Sequence, residues 1–417
     1  MKYFKKSLAA FLAVLFALST FAAAAFGVAA ASSRVSKNTD FIALNDPLEA
    51  FERLSSFGVE LAAPDSRGFP EDIIVVNSNH IQGLARYGDY TVISVSGDHS
   101  VSDTGYFFFY NGQKLLGGFS SPEGLGSHVG AISIAGDYMA CSVGTTIVYD
   151  LSPLKNGQIP NETPLIASGS LGSTIAIANY QGQESVFFLG GNSLKILPLP
   201  LTAESAAITL PLETQAVMSS EYDGTGEWGK LNAWTNDNEA LVTDTANNLW
   251  LFRLNSRLTL PGKVADLIGE EGMDYEDVAL LYKIELTDSG AIMTGPLASK
   301  KTEPYDSYLF ALGSHFRFGA SVQVLDADNF AIISTPSLPG NLFLKEISGT
   351  AKGLLDLVKP NVLSINANIT RPLGARPPAS IANIEQRGLL NWLYQALSWF
   401  LKIVNLDYFL GKLGIHI

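Results

Sequence analysis

The stretch His80-Ile-Gln-Gly-Leu-Ala-Arg-Tyr-Gly-Asp-Tyr90 decides the reading of this chain, because it returns 48 residues later as His128-Val-Gly-Ala-Ile-Ser-Ile-Ala-Gly-Asp-Tyr138. In both copies a histidine stands eight residues before Gly-Asp-Tyr. Self-similarity at a period of about 40–50 residues, with strand-like content, is the mark of a β-propeller blade. Gly88-Asp89 and Asn111-Gly112 read as hairpin turns, since both need positive φ.

Blade one takes residues 80–120, with strands at 82–87, 90–96, 105–111 and 114–119. Blade two takes 128–167, with strands at 131–135, 138–143, 146–150 and 164–167, and a polar loop at 155–162. Blade three is fainter, with runs at 175–180, 185–189, 194–199 and 206–210. Blade four reads as 230–235, 240–244, 249–253, 278–285 and 291–294, interrupted by a long acidic loop at 255–277. Blade five has 321–325, 330–334 and 341–346 and then runs short of strands. An N-terminal strand that completes the last blade would remove its exposed edge, and 73–77 is placed for that. The fold class expected is all-β: a β-propeller of five blades, or six if the fourth region splits, with a short N-terminal helix and an apolar C-terminal helix.

The pattern over residues 73–347 resembles repeat propellers such as the WD-repeat and related bacterial, secreted families. The resemblance concerns the fold. No WD dipeptide and no Gly-His blade signature occurs, so it implies no particular activity.

Composition agrees with a large β body: 417 residues, 47% hydrophobic, 16% charged and 38 glycines. The net charge of −13 argues against nucleic acid as a partner. Three lysines, an apolar run from residue 8 to 18 and Ala29-Ala30-Ala31 make residues 1–31 a secretory signal peptide. That places the protein outside the cell or in the cell envelope. The single cysteine, Cys141, permits no internal disulfide and reads as a buried core thiol.

Residues 32–69 are a lead-in to the propeller at 70–350. In it Asp46-Pro47-Leu48-Glu49 starts a helix, with Asp as N-cap and Pro at the first position, running to about Phe57. Residues 351–380 read as a linker and 381–417 as an apolar helical segment. The polar residues Asn391, Gln395, Ser398, Lys402 and Asn405 form one narrow stripe on it. Such a helix needs a cover: the propeller itself, a membrane surface or a partner.

In a propeller the starts of successive inner strands surround one channel. His80, His128, Trp228 and His315, with Arg317 beside it, are therefore the candidate ligand-binding residues. Repeated histidines also serve to tie blades together by hydrogen bonding backbone. No metal and no cofactor is called for. A metal-dependent enzyme would need three imidazoles converging on one point. Asp89 and Asp137 read as turn caps, and Asp244-Thr-Ala-Asn-Asn248 as a hairpin turn. No nucleophile elbow, zinc-protease, phosphate-loop or dinucleotide motif is present. Two functions remain. One is a non-catalytic propeller that binds a protein or carbohydrate at one face of the channel. The alternative is a polysaccharide hydrolase at the channel mouth, which requires paired carboxyl groups. The aromatics Trp234, Trp250 and 106–110 would stack on sugars if exposed, and build strand cores if not.

Overall fold

Gly88 and Gly136 follow the first strand of each copy of the repeat with φ of +59° and +55°, so the chain reverses in two residues. Gly112 does the same at +56°. The computed structural model describes residues 42–55, 59–62, 81–95, 105–112, 114–123, 129–142, 145–169, 171–217, 221–222, 224–226, 232–259, 274–287, 289–301, 305–306, 316, 320–334 and 365–370. All lie in the second of two compact units, residues 36–417. The leader (1–31), residues 351–364 and 371–380 of the span read as linker, and the apolar C-terminal segment (381–417) lie outside the described residues.

Helix α1 (Pro47–Glu52) and strand β1 (Val59–Ala62) come first. Strands β2 (Ile81–Tyr87), β3 (Tyr90–Val95), β4 (Tyr106–Asn111) and β5 (Lys114–Ser120) form an antiparallel meander. So do β6 (Ile132–Ala135), β7 (Tyr138–Ser142), β8 (Thr146–Asp150) and β9 (Ile166–Ser168). Next come β10 (Thr174–Tyr180), β11 (Gln183–Gly190), β12 (Ser193–Pro198) and β13 (Ile208–Ala216). They are followed by β14 (Thr235–Thr243), β15 (Leu249–Leu258), β16 (Asp274–Leu286) and β17 (Ala291–Lys301), with β18 (Tyr305–Asp306) against β16. Each set is an antiparallel meander, so both fourth strands run the same way. That is why β13 and β17 pair in parallel, Leu212 opposite Ala291, and join the two sets into one nine-stranded sheet. The last sheet contains β19 (Ser321–Asp326), β20 (Asn329–Ser334) and β21 (Ile365–Ile369), with β1 added beyond β21.

The architecture is mostly β and propeller-like. The first strands stand side by side in a closed circuit: β2 by β6, β6 by β10, β10 by β14, β14 by β19, and β19 by β2. Successive sheets pack face to face. Phe107, Phe109, Phe119 and Tyr149 fill the space between the first two, with ring centroids 5.1–5.6 Å apart. Each such side chain, fully buried, contributes about 1.5–3 kcal/mol. Trp234 and Trp250 are buried too, as are Phe107 to Tyr110, so these aromatics build cores, while Tyr106 is half-buried. Cys141 is buried, and desolvation pushes its thiol up, as a core residue requires.

Hydroxyls lock neighbouring meanders together. Ser94 Oγ donates to Gly130 O (3.1 Å), Ser133 Oγ to Ile175 O (3.3 Å), Thr174 Oγ1 to Glu239 O (3.3 Å) and Thr243 Oγ1 to Ile177 O (2.6 Å). Asp137 does more than cap its turn: it accepts from Tyr87 Oη (2.6 Å) in the preceding sheet and from Lys155 Nζ (2.8 Å). The Asp244–Asn248 hairpin is likewise a joint. Asp244 accepts from Trp250 Nε1 (2.9 Å), while Asn247 exchanges two bonds with the Asn179 backbone (2.6 and 2.8 Å).

Five expectations change, the first at β14, where one strand (Thr235–Thr243) replaces the two read at 230–235 and 240–244. Helix α1 has the foreseen cap, Asp46 Oδ1 accepting from Glu49 N at 2.9 Å, but ends at Glu52, where Arg53 turns away to bond Asp328 O (2.6 Å) and Asn329 Oδ1 (3.1 Å). The strand that completes the last sheet is β1, while 73–77 lies outside the described residues. The third strand of that sheet is β21, inside the span read as linker, and 341–346 lies outside the described residues. The acidic segment shortens, because β15 extends to Leu258 and β16 begins at Asp274.

Two acids in β16 are thereby buried with partners. Asp277 Oδ2 accepts from Phe316 N at 2.7 Å. Glu276 accepts from Arg257 Nε (2.7 Å) and Lys301 Nζ (3.1 Å), and Arg257 lies over the Trp234 ring at 4.7 Å. Burial alone would raise the Glu276 carboxyl; the bonds from Arg257 and Lys301 outweigh it and hold it below the usual carboxylate value. A carboxyl lowered on folding contributes stability above its unfolded pKa of about 4.3, and that is lost as pH falls through the folded value. Glu276→Gln is expected to cost about 1–3 kcal/mol at neutral pH. It should also flatten the loss of stability as pH falls below about 4.3 in urea titrations. An acid limb as steep as that of the unmutated protein would show that this group does not set it.

Candidate functional site

The first strands enclose a cavity of about 100 Å³ on their common axis. Every one of them contributes: Ala85–Tyr87 from β2, Ile132–Ala135 from β6, Ala176 from β10, Ala240–Thr243 from β14 and Ser321–Val324 from β19. Small residues at 85, 135, 176 and 240 keep the centre open. Ile42 also lines it, from the segment that continues into Leu44, whose amide donates to Thr243 O at 2.9 Å and whose carbonyl accepts from Thr245 N at 2.8 Å. The lead-in is thus laid across the ends of the first strands.

One described lining residue is charged, Arg86. Its Nη2 donates to Gly88 O at 3.2 Å. Burial pushes the guanidinium down and Asp89, in the adjoining turn, pushes it up, with burial the larger. The rest of the described lining is apolar or carries a hydroxyl or an amide, with no carboxylate among it. A volume of this size holds about three waters and is well below the roughly 300 Å³ of a pocket for a drug-sized molecule.

His80, His128, Trp228, His315 and Arg317 lie outside the described residues, as do the other two histidines. Their neighbours locate the relevant strands. His80 immediately precedes β2 in sequence, and by the same register, eight residues before the first hairpin turn, the third and fourth meanders carry Ser173 and Asn236. Phe316, between His315 and Arg317, is fully buried in the core between the fourth meander and the last sheet, its amide bonded to Asp277 on β16. Among the described residues no group of three His, Cys, Asp or Glu could hold a metal. Sequence reasoning missed Arg86, Ser321 and Gln323. The signal for Arg86 was in the repeat itself: its counterpart six residues after His128 is Ile134, so a cation replaces an aliphatic residue within an inner strand.

No family model matches the chain, and no curated protein matches it. Among solved structures it is similar to the major allergen Mala s 1 of Malassezia sympodialis, at 11% identity and a TM-score of 0.30 over 72% of this chain and 82% of that one. It is also similar to the GH93 α-L-arabinofuranosidase of Fusarium graminearum, at 7% identity and a TM-score of 0.31 over 76% and 98%. A quinonprotein alcohol dehydrogenase-like protein of Bacteroides thetaiotaomicron gives 10% identity and a TM-score of 0.21 over 56% and 69%. Similarity at this level says nothing of what this chain does.

Proposed function

We propose that this chain is an exported propeller of five blades that binds a protein or carbohydrate ligand at one face of its channel, without catalysis. The two meanders joined through β13 and β17 count as separate blades, because each presents its own first strand to the axis. His80, His128, Trp228, His315 and Arg317 are the ligand contacts proposed at the mouth. The leader and the apolar C-terminal segment support a place outside the cell or in its envelope, the latter docking on the propeller, a partner or a membrane surface.

The observation that carries the reading is the character of the axis. Its described lining offers a cation, hydroxyls and an amide. Retaining or inverting glycoside hydrolysis calls instead for two carboxyl groups about 5–10 Å apart. The test is retention of purified polysaccharides and proteins on the immobilised full chain, with reducing ends measured in parallel. Retention without new reducing ends is expected, weakened about tenfold or more in the His80→Ala, His128→Ala double variant, the loss of one or two good polar contacts. Release of reducing ends would replace binding by hydrolysis. Unchanged retention in the double variant would end the role of the histidines.

A further inference from the structure

We propose that the axial cavity holds a small monocarboxylate, gripped by Arg86 with Ser321 and Gln323. This rests on the reading of the channel as a binding site and names what its narrow part recognises. Arg86 on β2, and Ser321 and Gln323 on the neighbouring β19, line the same cavity. Arg86 Nε, Ser321 Oγ and Gln323 Oε1 are each buried without a hydrogen-bond partner. A buried polar atom left unpaired costs about 1–3 kcal/mol, and native interiors hold few of them. Three on the wall of one cavity call for an occupant with polar atoms of its own. The contrast with the other first strands is direct. Ser133, Thr174 and Thr243 each donate to a carbonyl of the adjacent first strand, whereas Ser321, 6% exposed, has no such carbonyl.

Charge and size set the ligand class. The guanidinium keeps its proton at any working pH, and its planar fork matches two carboxylate oxygens. Asp89 already draws on that cation, and the chain carries a net charge of −13. A dianion such as phosphate would therefore be poorly compensated, whereas a single negative charge is matched. Ser321 can donate its hydroxyl, and the Gln323 amide can turn end for end to present Nε2. The volume of about 100 Å³ admits a group the size of acetate.

The test is titration of sodium acetate into the full chain at about pH 8.5, where inorganic phosphate is the dianion, with ionic strength held constant by sodium chloride, read by calorimetry and by melting temperature. One saturable site is expected, with melting raised by about 3 °C at a hundred times Kd. Arg86→Met should lose at least about tenfold in acetate affinity, and Ser321→Ala several-fold. Inorganic phosphate should bind about tenfold more weakly than acetate. Should Arg86→Met fail to fold, Ser321→Ala and Gln323→Leu decide the matter. No saturable site in the unmutated protein would mean that the cavity holds water alone and would overturn the proposal. So would acetate affinity that the variants leave unchanged, or phosphate bound as tightly as acetate. Acetate binding lost while polysaccharide or protein retention persists defeats this inference alone; acetate bound with nothing retained defeats the broader reading alone.

Discussion

Gly172→Ala is expected to destabilise the protein by about 3–5 kcal/mol, a cost reached only when backbone itself must move. Gly172 has φ of +100°, and a Cβ there would stand 2.0 Å from Leu189 O and 2.6 Å from Leu189 C. Neither atom belongs to a side chain that could swing aside. Its amide is also fixed, donating to Thr146 Oγ1 at 2.8 Å across the gap between the second and third meanders. A shift that relieves the clash would therefore break the bond to Thr146, a hydroxyl buried to 4% exposure. Gly182→Ala is the control. Its φ of +85° is equally unsuited to a side chain, but no atom lies within 4 Å of the added carbon. It should lose only about 1 kcal/mol, the conformational part. Urea midpoints of the two variants, compared directly, separate close approach from backbone preference. Equal losses would show that the contact with Leu189 is not what fixes Gly172.

Phe51→Ala is expected to cost about 3–5 kcal/mol, the range for removing a buried aromatic ring. Phe51 is 2% exposed, and its ring lies 5.9 Å from that of Phe252 and 6.5 Å from that of Phe330, which are themselves 5.0 Å apart. Phe252 belongs to the fourth meander and Phe330 to the last sheet, so a single helical side chain wedges both. A helix of six residues has no stability of its own. Losing the ring should therefore release all of α1, together with the bonds of Arg53 to Asp328 and Asn329. Hydrogen exchange at Phe330 and Ile332 should accelerate along with the drop in urea midpoint. A loss under about 1 kcal/mol would mean that the helix only rests on the surface.

The first two meanders were legible because a repeat and its turn glycines fall in register: every strand of 80–120 lies within a residue or so of its expected place. The fourth was misread at one dipeptide. Strands read at 230–235 and 240–244 leave Asn236-Asp237 as the turn between them, but it sits inside β14 at a register shift between Asn236 and Asn238, and the true reversal is at Asp244. A bulge and a turn use the same residue types, so local chemistry could not separate them. The last sheet was hidden by distance, since β1 pairs with a strand some 300 residues further on. Arg86 was in plain view in the repeat, yet a lone cation in a strand carries no sign of burial. Ser321 and Gln323 matter only because β19 adjoins β2, which spacing along the chain cannot express.

The pairing of Val59–Ala62 with Ile365–Ile369 has a consequence for the newborn protein. At about 5–20 residues per second, ribosomes need roughly 15–60 s to pass from one partner to the other. Throughout that interval the early strand has nothing to join, and Phe330, which Phe51 is built to meet, is made only near the end. Completion of the wheel is therefore a late event in biogenesis, and a chain stalled before residue 365 keeps an open seam for which holding chaperones would compete.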